Sequence, residues 1–278
     1  MITQALSITQ ALILDTFREA LARKVFWGLF GLTLVILSFL LLVMRIDVVE
    51  GAMATVTLFG NTSRATDIND LVKRTYGTIA AFLYTIGMFL AVFASAGLIP
   101  SVLEPGRIEL VLSKPVSRSH ILLGRFLGNL LVVGVNIILL VSGAWVIFGA
   151  KTSIWKAEFL VAIPTTMFVF AVLLAVVMLV GILFESTAVS TMVPVVMMIL
   201  SPLLAQDATV QKLLSSQWSR DLWHGLYAVL PKVFEIGRMT LNIVLREGQV
   251  EWWPIWSSGL FAIVVMGCAL WRFEQRDF

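Results

Sequence analysis

Six stretches of this chain are apolar for about 20 residues at a time, at 25–44, 77–99, 126–148, 159–184, 187–204 and 255–271. Runs of that length match the ~30 Å hydrocarbon thickness of a bilayer when wound as helices. In hydrocarbon every backbone N–H and C=O must find its partner inside the segment, which selects helices for such runs. The expected fold class is therefore an all-α integral membrane protein with six transmembrane helices in a single domain over residues 1–278. Composition agrees: 59% of residues are hydrophobic and 13% charged, against about half and about a quarter in soluble domains, and mean hydropathy is +0.95. The net charge of +3 suits contact with anionic lipid and carries no nucleic-acid signal.

Between the runs lie segments of distinct character. Residues 1–24 place Leu6, Ile13, Leu14, Phe17 and Leu21 on one helical face, and read as an interfacial helix or as an ordinary tail. The apolar run that starts near Val25 is too long for a signal-peptide core, so no secretory signal is expected. The loop from Arg45 to Tyr76 begins with a mildly apolar piece, Val48 to Phe59, and then turns polar. Residues 206–254 are too polar to cross. Two amphipathic pieces, Trp218 to Leu230 and Val233 to Val244, are separated by Pro231 and should lie in an interface. Trp252, Trp253 and Trp256 mark one headgroup level of the last span and Trp271 the other. An even number of spans puts both termini on one side, but basic residues divide almost evenly between the two sides and leave the orientation open.

The most informative polar interruption is 100–121, which gathers Glu104, Arg107, Glu109, Lys114, Arg118 and His120 between two apolar runs. Its first half reads as a short amphipathic helix stopped at Pro115, and Ser117 has the side chain to cap the helix that follows. The stretch Glu104-Pro-Gly-Arg-Ile-Glu-Leu-Val-Leu-Ser-Lys-Pro-Val-Ser-Arg118, continued by Leu123-Gly-Arg-Phe126, resembles the cytoplasmic segment between the second and third spans of ABC-2 type transporter permeases. It is most similar to the branch that includes permeases linked to maturation of copper enzymes such as nitrous oxide reductase. Pro105 departs from that pattern, where a helix former is usual.

This resemblance implies that 100–121 is a coupling helix seated on a separate ATPase subunit, with Glu104, Gly106, Arg107, Glu109, Ser113, Lys114, Pro115 and Arg118 as its contact residues. It also implies cytoplasmic termini, a cell-membrane or inner-membrane location, export rather than import, and a dimer with a second permease subunit, identical or different. ATP and Mg would be bound by the partner ATPase; no cofactor is expected in this chain. Residues 206–254 would supply short helices on the outer side of the translocation path.

Within the spans, Asn129 and Asn136 lie seven residues apart on one helical face, near Gly124 and Gly128. Amides in lipid need partners, so the face either packs against a helix or lines a substrate path. Glu185-Ser-Thr187 is the only polar break between the fourth and fifth runs. Ser186 is a candidate N-cap, and Glu185 either an interfacial anchor or a second cytoplasmic contact for the ATPase. Pro164, Pro194 and Pro202 are expected to interrupt these two spans.

Motifs for other chemistry are missing. No G-x-x-x-x-G-K-[ST] phosphate loop occurs, the two histidines are about a hundred residues apart with no metal-ligand spacing, and Cys268 is the single cysteine. No metal site or catalytic residue is expected, and no acidic residue occupies the middle of a span, as proton-coupled carriers require. A membrane scaffold that recruits a cytoplasmic partner through the same loop, moving no substrate, is the alternative to a transport subunit.

Overall fold

The computed structural model describes residues 24–42, 45–49, 53–58, 61–62, 66–96, 117–206, 210 and 216–275. The interfacial helix expected over 1–24 lies outside them, apart from Lys24. Helix α1 (Lys24–Leu42) leads into four short strands, β1 (Arg45–Val49), β2 (Met53–Leu58), β3 (Asn61–Thr62) and β4 (Thr66–Asp67). They pair antiparallel in the order β1-β2-β3, with β4 also on β2 and Arg45 opposite Thr57. Here the loop departs from the all-helical expectation: Val48, Val49, Thr55, Val56 and Thr57 are β-branched and favour a pleated ribbon.

Helix α2 (Ile68–Phe82) passes through a π turn, Leu83–Gly87, into α3 (Met88–Ala96). Helix α4 (Arg118–Thr152) follows, then a 3₁₀ turn (Ala157–Val161), α5 (Ala162–Phe184), α6 (Thr187–Leu204), α7 (Gln217–Val229), α8 (Val233–Leu245) and α9 (Trp253–Glu274). Among the described residues five helical stretches are long and apolar enough to cross a membrane: Val72–Ser95, Arg118–Thr152, Ala157–Phe184, Thr187–Leu204 and Trp253–Glu274. A shorter apolar helix, Trp27–Leu42, precedes them. Each crossing stretch falls on an expected run, and helix termini differ from the runs because capping residues, not hydropathy, set them. Ser117 accepts from the amide of His120 at 3.4 Å, Ser186 from that of Val189 at 3.5 Å, and each starts its helix. Pro164 does not interrupt α5; it sits in the first turn, and the Leu160 carbonyl four residues before it accepts from Ala162 N instead. Pro194 and Pro202 do lie inside α6.

The bundle is built around α5. It packs against α3, α4, α6, α8 and α9, and Val169, Phe170, Leu173, Leu174, Val177 and Met178 are buried among them. A second apolar cluster gathers Tyr76 of α2, Phe148 of α4 and Phe159 of the 3₁₀ turn, with the Tyr76 ring 4.7 Å from Phe159 and 5.3 Å from Phe148. Outside the core, the large side chains of α1, α6 and α9 point outward, including Trp252, Trp253, Trp256 and Trp271. Exposed apolar surface of this extent is what lipid would cover.

Of the two amphipathic pieces, α7 buries no residue, whereas α8 buries Val233, Ile236, Gly237, Met239, Thr240 and Val244. Helix α8 packs into the bundle along its length, from Val233 to Val244. Its leading amides are satisfied by neighbouring helices: Lys232 N donates to Ser258 Oγ of α9 at 2.9 Å, and Phe234 N to Ser201 Oγ of α6 at 2.8 Å. Tyr84 in the π turn donates its hydroxyl to the Val233 carbonyl at 2.5 Å. At the other end Arg246 pairs with Glu158, and Lys73 with Glu247 at 2.6 Å.

Candidate functional site

The expected coupling residues Glu104, Gly106, Arg107, Glu109, Ser113, Lys114 and Pro115 lie outside the described residues; Arg118 and the start of α4 lie inside. Ser117 is extended (φ −68°, ψ 148°), and its carbonyl accepts from His120 N at 3.0 Å and Ile121 N at 3.2 Å. The helix therefore begins at Arg118, directly after the polar segment. Arg118 Nη1 donates to the Glu274 carbonyl at 3.2 Å, and Ser119 Oγ bonds the Glu274 carboxylate. These contacts fasten the base of the segment to the carboxyl end of α9.

At the far end of α4, Lys151 donates from Nζ to the carbonyls of Leu40 at 2.9 Å and Leu41 at 2.7 Å. An ammonium on the last carbonyls of a helix satisfies acceptors that have no partner within it. Gly143 lets Leu37 approach so closely that an added Cβ would stand 2.8 Å from Leu37 Cδ1. Helix α4 is thus fixed to α9 at one end and to α1 at the other.

The α5–α6 hairpin turns through Glu185, which adopts the left-handed conformation (φ 50°) and donates its amide to the Gly181 carbonyl at 3.0 Å. Glu185 is exposed. Its position at the end of α5 is that of a helix-terminating residue as well as the expected anchor or contact.

Asn129 and Asn136 are both buried, at 3% and 6% exposure. Asn136 donates from Nδ2 to the Val132 carbonyl at 3.3 Å. A carbonyl only accepts, so the amide nitrogen must face it and Oδ1 must face away. Among the described residues that oxygen has no partner, nor has Asn129 Nδ2; an unmade buried hydrogen bond costs about 1–3 kcal/mol. The two amides were legible in the sequence, but not their surroundings. Asn136 lines a small cleft of about 70 Å³ with Thr33 of α1, Ile86 and Gly87 of the π turn, and Thr166 of α5. Asn129 does not line it.

A second cleft, between α2, the π turn, α6 and α8, is lined by Tyr84, Phe89, Met198, Pro202, Gly237 and Arg238. Beside it Lys232 is buried, its ammonium 3.1 Å from the Tyr227 carbonyl and 4.4 Å from the Tyr227 ring. Tyr227 in turn donates to Glu235 at 2.8 Å. Burial pushes the Lys232 pKa below the usual lysine value, partly offset by the Glu235 carboxylate. Nothing in the spacing of the sequence marked Lys232 as interior. Among the described residues no group of three or more His, Cys, Asp or Glu side chains could hold a metal ion.

A bundle with five helical stretches long and apolar enough to cross a bilayer is that of a multi-pass membrane protein. The chain belongs to the ABC-2 family of transporter proteins, whose family model matches residues 10–278. No curated protein matches it.

Proposed function

We propose that the chain is the permease subunit of an ATP-binding-cassette exporter, crossing the membrane six times with α1 as its first span and both termini in the cytoplasm. The observation that carries this reading is the family match over nearly the whole chain, joined to the lack of any phosphate loop. A transport component without its own ATPase takes its energy from separate ATPase subunits. The segment Glu104–Arg118 docks on them, through Glu104, Gly106, Arg107, Glu109, Ser113, Lys114, Pro115 and Arg118, with Glu185 as a smaller contact. Two permease subunits, alike or different, enclose the path. Within the family, similarity of the coupling segment favours the branch of copper-enzyme maturation permeases.

Arg118 is the last residue of that segment and the first of α4, and it is bound to the end of α9. Movement imposed on the segment is therefore delivered to two spans at once. The test is ATP hydrolysis by the co-purified complex in lipid, comparing the native chain with a Glu104→Ala, Arg118→Ala double variant. Loss of association or of coupled hydrolysis in the variant supports the reading. If no ATPase accompanies the native chain, or the variant behaves identically, a scaffold that moves no substrate becomes the better account.

A further inference from the structure

The cleft between α2, the π turn, α6 and α8 holds about 320 Å³, within the range of small-molecule sites. Tyr84 and Thr85 on one wall stand in the middle of the crossing stretch Val72–Ser95, which puts the cleft at membrane depth. Most of its surface is aromatic or aliphatic, with Tyr84, Phe89, Met198 and Phe234 the largest contributors. Thr85 and Arg238 break that pattern, and both are exposed. Thr85 belongs to the π turn, a distortion frequent at functional positions.

Arg238 decides the chemistry. A guanidinium stays charged at any physiological pH, and a charge at this depth is costly unless a partner or water meets it. Its neighbours on α8 are met by the protein, Lys232 by the Tyr227 carbonyl and Arg246 by Glu158. Arg238 makes no hydrogen bond or ion pair among the described residues, and none of the described residues lining the cleft is a carboxylate. Ala81 and Leu241 are shared between the cleft and a wider basin of about 660 Å³, which runs to Asp70, Lys73 and Arg74 at the start of α2. There Lys73 and Glu247 neutralise each other, and Asp70 offsets Arg74. The basin is a polar way in from water; the cleft beyond it carries a single positive charge.

We propose that this cleft binds an amphipathic anion, one acidic group on an apolar body, with the acid on Arg238 and the body against Tyr84, Phe89 and Met198. The acid gives Arg238 its missing counter-charge, and the body covers the apolar walls. A free anion arriving through the basin and an anionic lipid arriving sideways offer the same chemistry. The site is built within one chain and is tested without ATP or a second subunit, so its failure is distinguishable from failure of the ATPase-coupling reading.

The experiment uses the full chain in phosphatidylcholine nanodiscs with a ten-carbon alkyl sulfonate bearing a mid-chain diazirine. The matching uncharged alcohol is the control, and crosslinked residues are mapped by mass spectrometry. Labelling of 81–89 and 233–241 is taken relative to 260–264 of α9, where Leu260, Ile263 and Val264 are exposed; that ratio cancels differences in partitioning. The sulfonate should exceed the alcohol about tenfold or more, the worth of one hydrogen bond to a charged group. Arg238→Gln should remove the excess and Arg238→Lys keep part of it. Both variants should melt with the native chain, because the side chain they replace is exposed and bonded to nothing described. Replacing part of the phosphatidylcholine with phosphatidylglycerol separates the sources: loss of the label means that an anionic lipid takes the site, and persistence that a free anion does. Equal ratios for sulfonate and alcohol in the native chain, as expected if water meets Arg238, would overturn the proposal. So would an excess that survives Arg238→Gln.

Discussion

Tyr84 shows how tightly single side chains are held in this bundle. Its hydroxyl is bonded to the Val233 carbonyl, and its ring lies so near α8 that a Cβ added at Gly237 would stand 2.6 Å from Tyr84 Cε1. Gly237→Ala gains up to about 1 kcal/mol of helix propensity but overpacks a ring that cannot swing away, at a cost of about 1–3 kcal/mol. The expected result is a lower melting temperature for the detergent-solubilised chain. Gly87→Ala, made in open space, should leave the melting temperature unchanged or raise it. Two glycines with the same mutation and opposite signs separate packing from backbone entropy. Neither outcome was legible in the sequence, where both residues are simply glycines in apolar helices. By contrast Ser117 and Ser186 announced themselves, because an N-cap depends on a side chain and its own local backbone.

At the scale of elements, the limits of α6 coincide with the apolar run 187–204, and α7 and α8 follow the two amphipathic pieces split by Pro231. Period and punctuation are local properties. The depth of α8 is not: it depends on hydroxyls contributed by Ser201 and Ser258, which lie 33 and 26 residues from the amides they receive. Nor was the ribbon at β1–β4 anticipated, although its β-branched residues were visible, because hydropathy averages over the alternation that makes a strand. If the two serines hold α8 in place, Ser201→Ala and Ser258→Ala should each cost about 1–3 kcal/mol by orphaning a buried amide. Hydrogen exchange at Lys232 and Phe234 would check this: both amides should exchange faster in the matching variant, while those of α5 stay protected. The expected coupling segment lies almost wholly outside the described residues, and the structure contributes what adjoins it, the bonds of Arg118 and Ser119 to Glu274.

For the whole molecule, the order of helix ends makes a test of topology possible. The turn after α4 and the end of α9 belong to opposite ends of the bundle, since Lys151 meets the end of α1 while Arg118 meets Glu274. In a Cys268→Ser background, Ser153→Cys should react with a membrane-impermeant maleimide added to intact cells, and Gln275→Cys only after permeabilisation. Labelling of both without permeabilisation would place the two positions on one side and break the six-span arrangement. The double attachment of α4 has a further consequence. Each residue of an α-helix turns it by about 100°, so adding or removing one residue between Arg118 and Lys151 would rotate one fastening away from its receptor while the other held. The length of α4 is therefore locked in register, and an insertion or deletion within it displaces one fastening whichever residue is added or lost.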